Sequence, residues 1–256
     1  MKLFESSLLV PVLLLSVIFL FLLLVRLIHQ LSPPANAAKA VMTAKGYLLL
    51  GRTKDAYEET RSAIDVDSEN AEAHWLLGQL LMQRGELTDS ADQIRQTLQL
   101  EPQNELFWRD LGLILLLLSI RQKAGVQLDE CAAEEAILAF RQAYQIDPHN
   151  ISNCLHIDMI EAATGLETCL SQEIQWHGWQ ESVHRFFRKQ ISETDCFDEI
   201  AKQPSRVPLA EAHFQVGLYY LVSSDLRAAK RNFRSSYWLG SDHCAASRVF
   251  LNELRT

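Results

Sequence analysis

Residues 71–104 read AEAHWLLGQLLMQRGELTDSADQIRQTLQLEPQN, and the reading of this stretch decides the fold. Trp75, Leu77, Leu80 and Leu81 recur at helical spacing and mark one amphipathic helix. Arg84-Gly85-Glu86 interrupts it, and Ala91, Ile94 and Leu98 mark a second helix. Leu100-Glu101-Pro102-Gln103-Asn104 ends the unit, because Pro cannot continue a helix and Asn favours turns. The stretch therefore predicts a hairpin of two short helices, too small to bury its own apolar faces.

Outward from this hairpin the pattern recurs. Ala44, Gly78 and Gly112 stand 34 residues apart. Twelve residues after the first two come Ala56 and Ser90, seven later Ala63 and Thr97, and five later Ser68 and Pro102. A fixed period of this length predicts stacked helical hairpins, each burying the apolar face of its neighbour. The small residues have a mechanical role: Gly78 and Ser90 let the helices of one hairpin approach, and Thr97 lets the next hairpin pack behind. Residues 37–70 and 71–104 read as two complete units and 105–150 as a third.

In the third unit Trp108, Leu111-Gly112, Ala136, Phe140, Ala143 and Pro148 follow in type and order the signature of the tetratricopeptide repeat (TPR) family, which the chain therefore resembles. The unit departs in one respect. Gly112 to Ala136 is 24 residues where Gly78 to Ser90 is 12, so twelve extra residues around Ser119 to Glu130 must lengthen the helices or form a protruding loop. Residues 151–165 read as the first helix of a partial fourth unit, with Gly165 in the place of Gly51 and Gly85. Its second helix, expected between Leu170 and Ile191, lacks the signature small residues, which makes 166–207 an irregular helical segment. The pattern returns in 208–256 with Phe214, Gly217, Tyr220, Ala229 and Phe233, and Cys244 to Leu254 can form a capping helix.

Upstream, Leu8 to Val25 is a run of eighteen uncharged residues. As a helix it spans ~27 Å, close to the ~30 Å hydrocarbon core of a bilayer. Leu27 and Ile28 extend it and Arg26 can snorkel to the headgroups, so residues 8–28, within a segment 1–30, read as a single-pass anchor. Ser32-Pro33-Pro34 makes 31–36 a linker. A cleaved signal peptide is the competing reading, since Ala35-Asn36-Ala37 resembles a cleavage site; the length of the run favours the anchor. The expected fold class is all-α: an N-terminal transmembrane helix, a TPR-type hairpin solenoid and a C-terminal capping helix. The expected location is the membrane, that of a bacterial inner membrane; Lys2 before the run suits the expected arrangement with the soluble part exported, while Arg26, Lys39 and Lys45 after it argue for the reverse.

Catalytic motifs are missing: no nucleophile elbow, phosphate loop, dinucleotide fingerprint or paired metal-binding histidines occur. The eight histidines and five cysteines lack ligand spacing, so no metal, cofactor or catalytic residue is expected, and the chain is not read as an enzyme. The cysteines read as buried small hydrophobes, with a Cys154–Cys169 bridge as the alternative. A net charge of −8 and pI near 5.5 argue against nucleic acid as a partner.

What the resemblance implies is a concave groove, lined by the first helix of each hairpin, that holds a protein or peptide partner. Carried over by position, the groove residues are Val41, Lys45 and Leu48; Trp75, Gln79 and Met82; and Arg109, Leu113 and Leu116, with Phe214, Leu218 and Leu221 from the last unit. Trp75 and Met82 stand out, since Trp and Met are enriched at interfaces. The Lys and Asn clamp that chaperone cofactors use for a terminal carboxylate is not reproduced, and Asp110 would repel such a ligand. A second candidate surface is Gln175 to Ile191, where Trp176, Trp179, Val183, Phe186 and Phe187 share a stripe beside His184, Arg185, Arg188 and Lys189. It either lies on an anionic membrane surface or packs against the solenoid, and Gly178 favours packing. The function expected is a membrane-anchored scaffold or adaptor for assembly of a membrane or envelope complex. The alternatives are a homo-oligomerisation module, or an enzyme or membrane-surface sensor using 166–207.

Overall fold

The computed structural model describes residues 18–21, 33–121, 130–165, 174–240, 247, 248, 250 and 251. Among the described residues every element is α-helical: α1 Pro33–Leu49, α2 Thr53–Val66, α3 Ala71–Gln83, α4 Leu87–Leu100, α5 Glu105–Arg121, α6 Glu130–Ile146, α7 Ser152–Thr164, α8 Gly178–Phe187, α9 Glu193–Ala201, α10 Val207–Val222 and α11 Leu226–Leu239. The chain divides into two compact units, Met1–Ala73 and His74–Thr256. The first holds the α1/α2 hairpin. The second holds the hairpins α3/α4 (whose α3 begins at the boundary) and α5/α6, then α7 with α8 and α9, and the final hairpin α10/α11.

The expected linker is largely helix. α1 begins at Pro33, and both prolines sit in its first turn, where the missing N–H groups cost nothing because that turn has no intrahelical partners. Most of the Leu8–Val25 run lies outside the described residues; Ile18–Phe21 are helical, with all four side chains exposed. Among the described residues no helix is long and apolar enough to cross a membrane.

Hairpin geometry follows from the small residues. A Cβ on Gly112 would stand 2.7 Å from the Phe140 ring, and one on Gly217 2.8 Å from Phe233, so only hydrogen fits between these helices. The buried Ser90 hydroxyl turns the same contact polar, donating to the Gly78 carbonyl at 2.7 Å. Gly85 takes φ +77° in the turn between α3 and α4, a left-handed conformation that favours glycine. The extra residues of the third unit lengthen both of its helices: α5 and α6 have 17 residues each, against 13 in α3 and 14 in α4. Residues 122–129 lie outside the description.

The fourth unit breaks the rule. Twenty-two residues after Ala56 and Ser90 come Gly78 and Gly112, but twenty-two after Ala136 comes Asp158. This carboxylate is fully buried and faces α8, whose His184 meets it at 2.7 Å and whose C-cap residue Arg188 donates to it at 2.9 and 2.6 Å. Arg188 also donates to Glu161 at 2.8 Å. A charge network here takes the place that a glycine contact takes elsewhere. α9 is an added element, started by a capping box between Ser192 and Asp195. Its Glu193 accepts from Tyr220, Arg231 and Asn232, which ties it to α10 and α11.

Phe140 of the third hairpin stacks on His156 of α7, ring centroids 4.5 Å apart and 10° from parallel. In the last hairpin its counterpart, Phe233, stacks on Phe250 at 4.7 Å and 6°. Phe250 thus lies against Phe233 as His156 lies against Phe140; of the expected capping helix Cys244 to Leu254 only residues 247, 248, 250 and 251 are described, and there Ser247 donates its hydroxyl to Ser236 at 3.2 Å.

Candidate partner-binding face

The first helices of two consecutive hairpins, α3 and α5, present the largest group of expected site residues. Trp75 is half-buried: its ring lies 5.7 Å from that of Phe107 and its indole N–H donates to Asp110 at 2.8 Å. Gln79, one turn on, donates to the same Asp110 oxygen at 3.3 Å. Half-buried Met82 packs on the core from the next turn. The guanidinium of Arg109 lies 3.9 Å from both Glu105 and Asp110. Glu105 in turn accepts from Asn150 at 2.8 Å and from Asn153 at 2.9 Å. A polar lane therefore runs from α3 over α5 to α7. Two atoms along it, Arg109 Nε and Asn153 Oδ1, are buried without a hydrogen-bond partner, and such groups carry a desolvation cost.

Other expected groove residues are placed differently. Leu113 and Leu116 are buried in the core and support the face from beneath, as are Phe214, Leu218 and Leu221 in the last hairpin. In the first unit Val41 is buried, Lys45 pairs with Glu72, and Leu48 is half-buried. Leu113 and Leu116 go inward because burial removes their apolar surface from water.

The α8 surface turns inward. Val183, Phe186 and Phe187 are buried, Trp176 stacks on His184 at 4.7 Å, and Trp179 packs on the same core. Of the cations beside the stripe, Arg185 donates to Glu199 at 3.1 Å and Arg188 is held by Asp158 and Glu161, while Lys189 is exposed. Sequence reasoning missed Asp158 and Glu193. The register alone could have flagged Asp158, since it stands where a small residue is due. It also missed a recurring pair: His74 bonds Gln93 and His213 bonds Asn232, each at 2.8 Å and each nineteen residues apart. Burial pushes the Cys154 and Cys196 thiols up to about 12, and both are free, so Cys154 is not bridged.

No family model matches the sequence, and no curated protein matches it. Among solved structures, TTC0263, a thermophilic TPR protein in Thermus thermophilus, superposes with a TM-score of 0.50 at 14% identity, over 86% of this chain and 98% of that one. The fold is of the tetratricopeptide type. MamA superposes with a TM-score of 0.46 at 19% identity, over 66% of this chain and 83% of that one. YrrB, a TPR protein with an unusual peptide-binding site, gives 0.45 at 14% identity, over 91% and 97%. Within this TPR-type frame, α3 and α5 are the first helices of the second and third units.

Proposed function

We propose that this chain is a membrane-anchored TPR-type scaffold that binds a protein segment across α3 and α5. The observation that carries this reading is the joined, half-buried group of Trp75, Gln79 and Arg109 around Asp110, which spans two consecutive hairpins. A patch of this kind offers an aromatic anchor, a flexible thioether in Met82 and fixed polar groups, the ingredients of an interface hot spot. It offers no activated nucleophile, and we assign the chain no catalytic step. The run from residue 8 to 28 is the anchor in this reading, supported by its length and by the exposed apolar side chains of Ile18–Phe21. The repeats stand on the exported side of a bacterial inner membrane and serve assembly of an envelope complex.

Affinity capture from membranes with the intact chain tests the binding face. Trp75→Ala with Met82→Ala should weaken partner binding by about thirty-fold or more, the loss expected from a hot spot worth at least ~2 kcal/mol. An unchanged melting temperature must accompany the loss; unchanged binding overturns the assignment. Capture of a second copy alone would make the chain an oligomerisation module. A reporter fused after Thr256 that is active only in the cytoplasm would reverse the topology.

A further inference from the structure

The exposed face of α11 is basic. At 100° per residue, Arg227, Lys230, Arg231, Arg234, Tyr237 and Trp238 fall within an arc of about 120°. The opposite face is the buried one: Ala228, Ala229, Asn232, Phe233 and Ser236. The helix has four cations and no carboxylate, in a chain whose net charge is −8. Among the described residues Arg231 is met by a carboxylate, Glu193 at 2.7 Å, whereas Arg227, Lys230 and Arg234 are in no ion pair. At the end of this row Trp238 is 78% exposed, edge-to-face with the 40% exposed Tyr237 at 6.0 Å.

We infer that α11 is a docking face for an anionic phospholipid surface. Charge complementarity selects an anionic partner, and the exposed indole and phenol select a bilayer, because Trp and Tyr settle at headgroup depth while Arg and Lys reach the phosphates. A nucleic acid would be repelled by the remainder of an acidic chain. The other helix rich in cations and aromatics, α8, is not available for this role, since Arg185 and Arg188 are held by internal carboxylates and its rings are packed. The inference rests in part on the anchoring reading above, which keeps a bilayer within reach.

The test uses the full chain with Trp238→p-benzoylphenylalanine, reconstituted in vesicles of phosphatidylcholine with or without phosphatidylglycerol. Irradiation should give lipid adducts at position 238 with the anionic vesicles, falling at least about five-fold without phosphatidylglycerol. The combined Arg227→Gln, Lys230→Gln and Arg234→Gln variant should fall by as much while keeping its helical melting curve. Equal adducts in both vesicles, no adduct, or cross-links to a second copy overturn the inference, as do cross-links to a protein in native membranes. Carbonate extraction separates the two readings: release of the chain sinks the anchor alone, and the adduct still decides α11.

Discussion

Fully buried Asp158 and the 34% exposed side chain of Arg188 form a doubly hydrogen-bonded ion pair, with guanidinium nitrogens 2.9 and 2.6 Å from one carboxylate oxygen. The pair stands where the α5/α6 and α10/α11 hairpins place a glycine against an aromatic ring, so this unit is joined by charge where those two are joined by close apolar contact. Its geometry is set by helix pairing: α7 supplies both carboxylates from one face, and opposite them stand His184 of α8 and, four residues on, Arg188 at the C-cap of that helix.

Arg188→Met should destabilise the second unit by about 3 kcal/mol in urea unfolding, because it leaves a buried carboxylate without its main partner. Asp158→Asn should cost less in the Arg188→Met background than in the wild type, with a coupling of at least about 1 kcal/mol. Additive costs would mean the pair contributes nothing.

Gly112→Ala should lower the melting temperature, since its Cβ would meet the Phe140 ring at 2.7 Å and overpacking costs about 1–3 kcal/mol. Gly46→Ala in α1 has nothing within 4 Å and should stabilise its helix by about 0.5–1 kcal/mol. Opposite signs from one chemical change are the expected result.

Stability should decline on acidification in two steps. Burial holds the His213 imidazole below its ordinary value of 6.5, outweighing the bond to Asn232; Glu193, Arg231 and the Phe197 ring also face it. The unfolded chain therefore takes up the proton first, and this contribution is complete above about 6.5 and is lost as pH falls below it. Burial raises Glu193, but bonds from Arg231, Asn232 and Tyr220 together leave it below 4.5, so its contribution is present above that pH and lost beneath it. Melting curves from pH 8 to 3 should show both losses, and His213→Gln should flatten the upper one.

Thiol labelling checks burial. In the native chain a maleimide should modify Cys154 and Cys196 far more slowly than in urea, because both thiols are buried and held up to about 12. Peptide mapping by mass spectrometry reads out each site; rapid native labelling of either would contradict its placement.

The hairpins were legible in the sequence because the period depends on steric contacts that each have a residue signature: Gly112 against Phe140, Gly217 against Phe233, Ser90 on Gly78. The fourth unit was not, because Asp158 and Arg188 are thirty residues apart and only tertiary packing brings them together. The site was legible in part. Trp75, Gln79 and Arg109 share a face as their register requires, whereas Leu113 and Leu116 occupy equivalent positions but follow their hydrophobicity into the core. The basic face of α11 escaped notice because its exposed and buried residues alternate with helical period, which an overall charge of −8 conceals.

The stacking of Phe250 on Phe233 has a consequence that polymer chemistry names well. A growing polymer adds monomers at a reactive end, and a group that occupies that end is a chain stopper. With Phe250 seated there, another copy cannot extend the array at that end without first displacing it. Removing the ring, as in Phe250→Ala, would convert a terminated oligomer of hairpins into one with a live end.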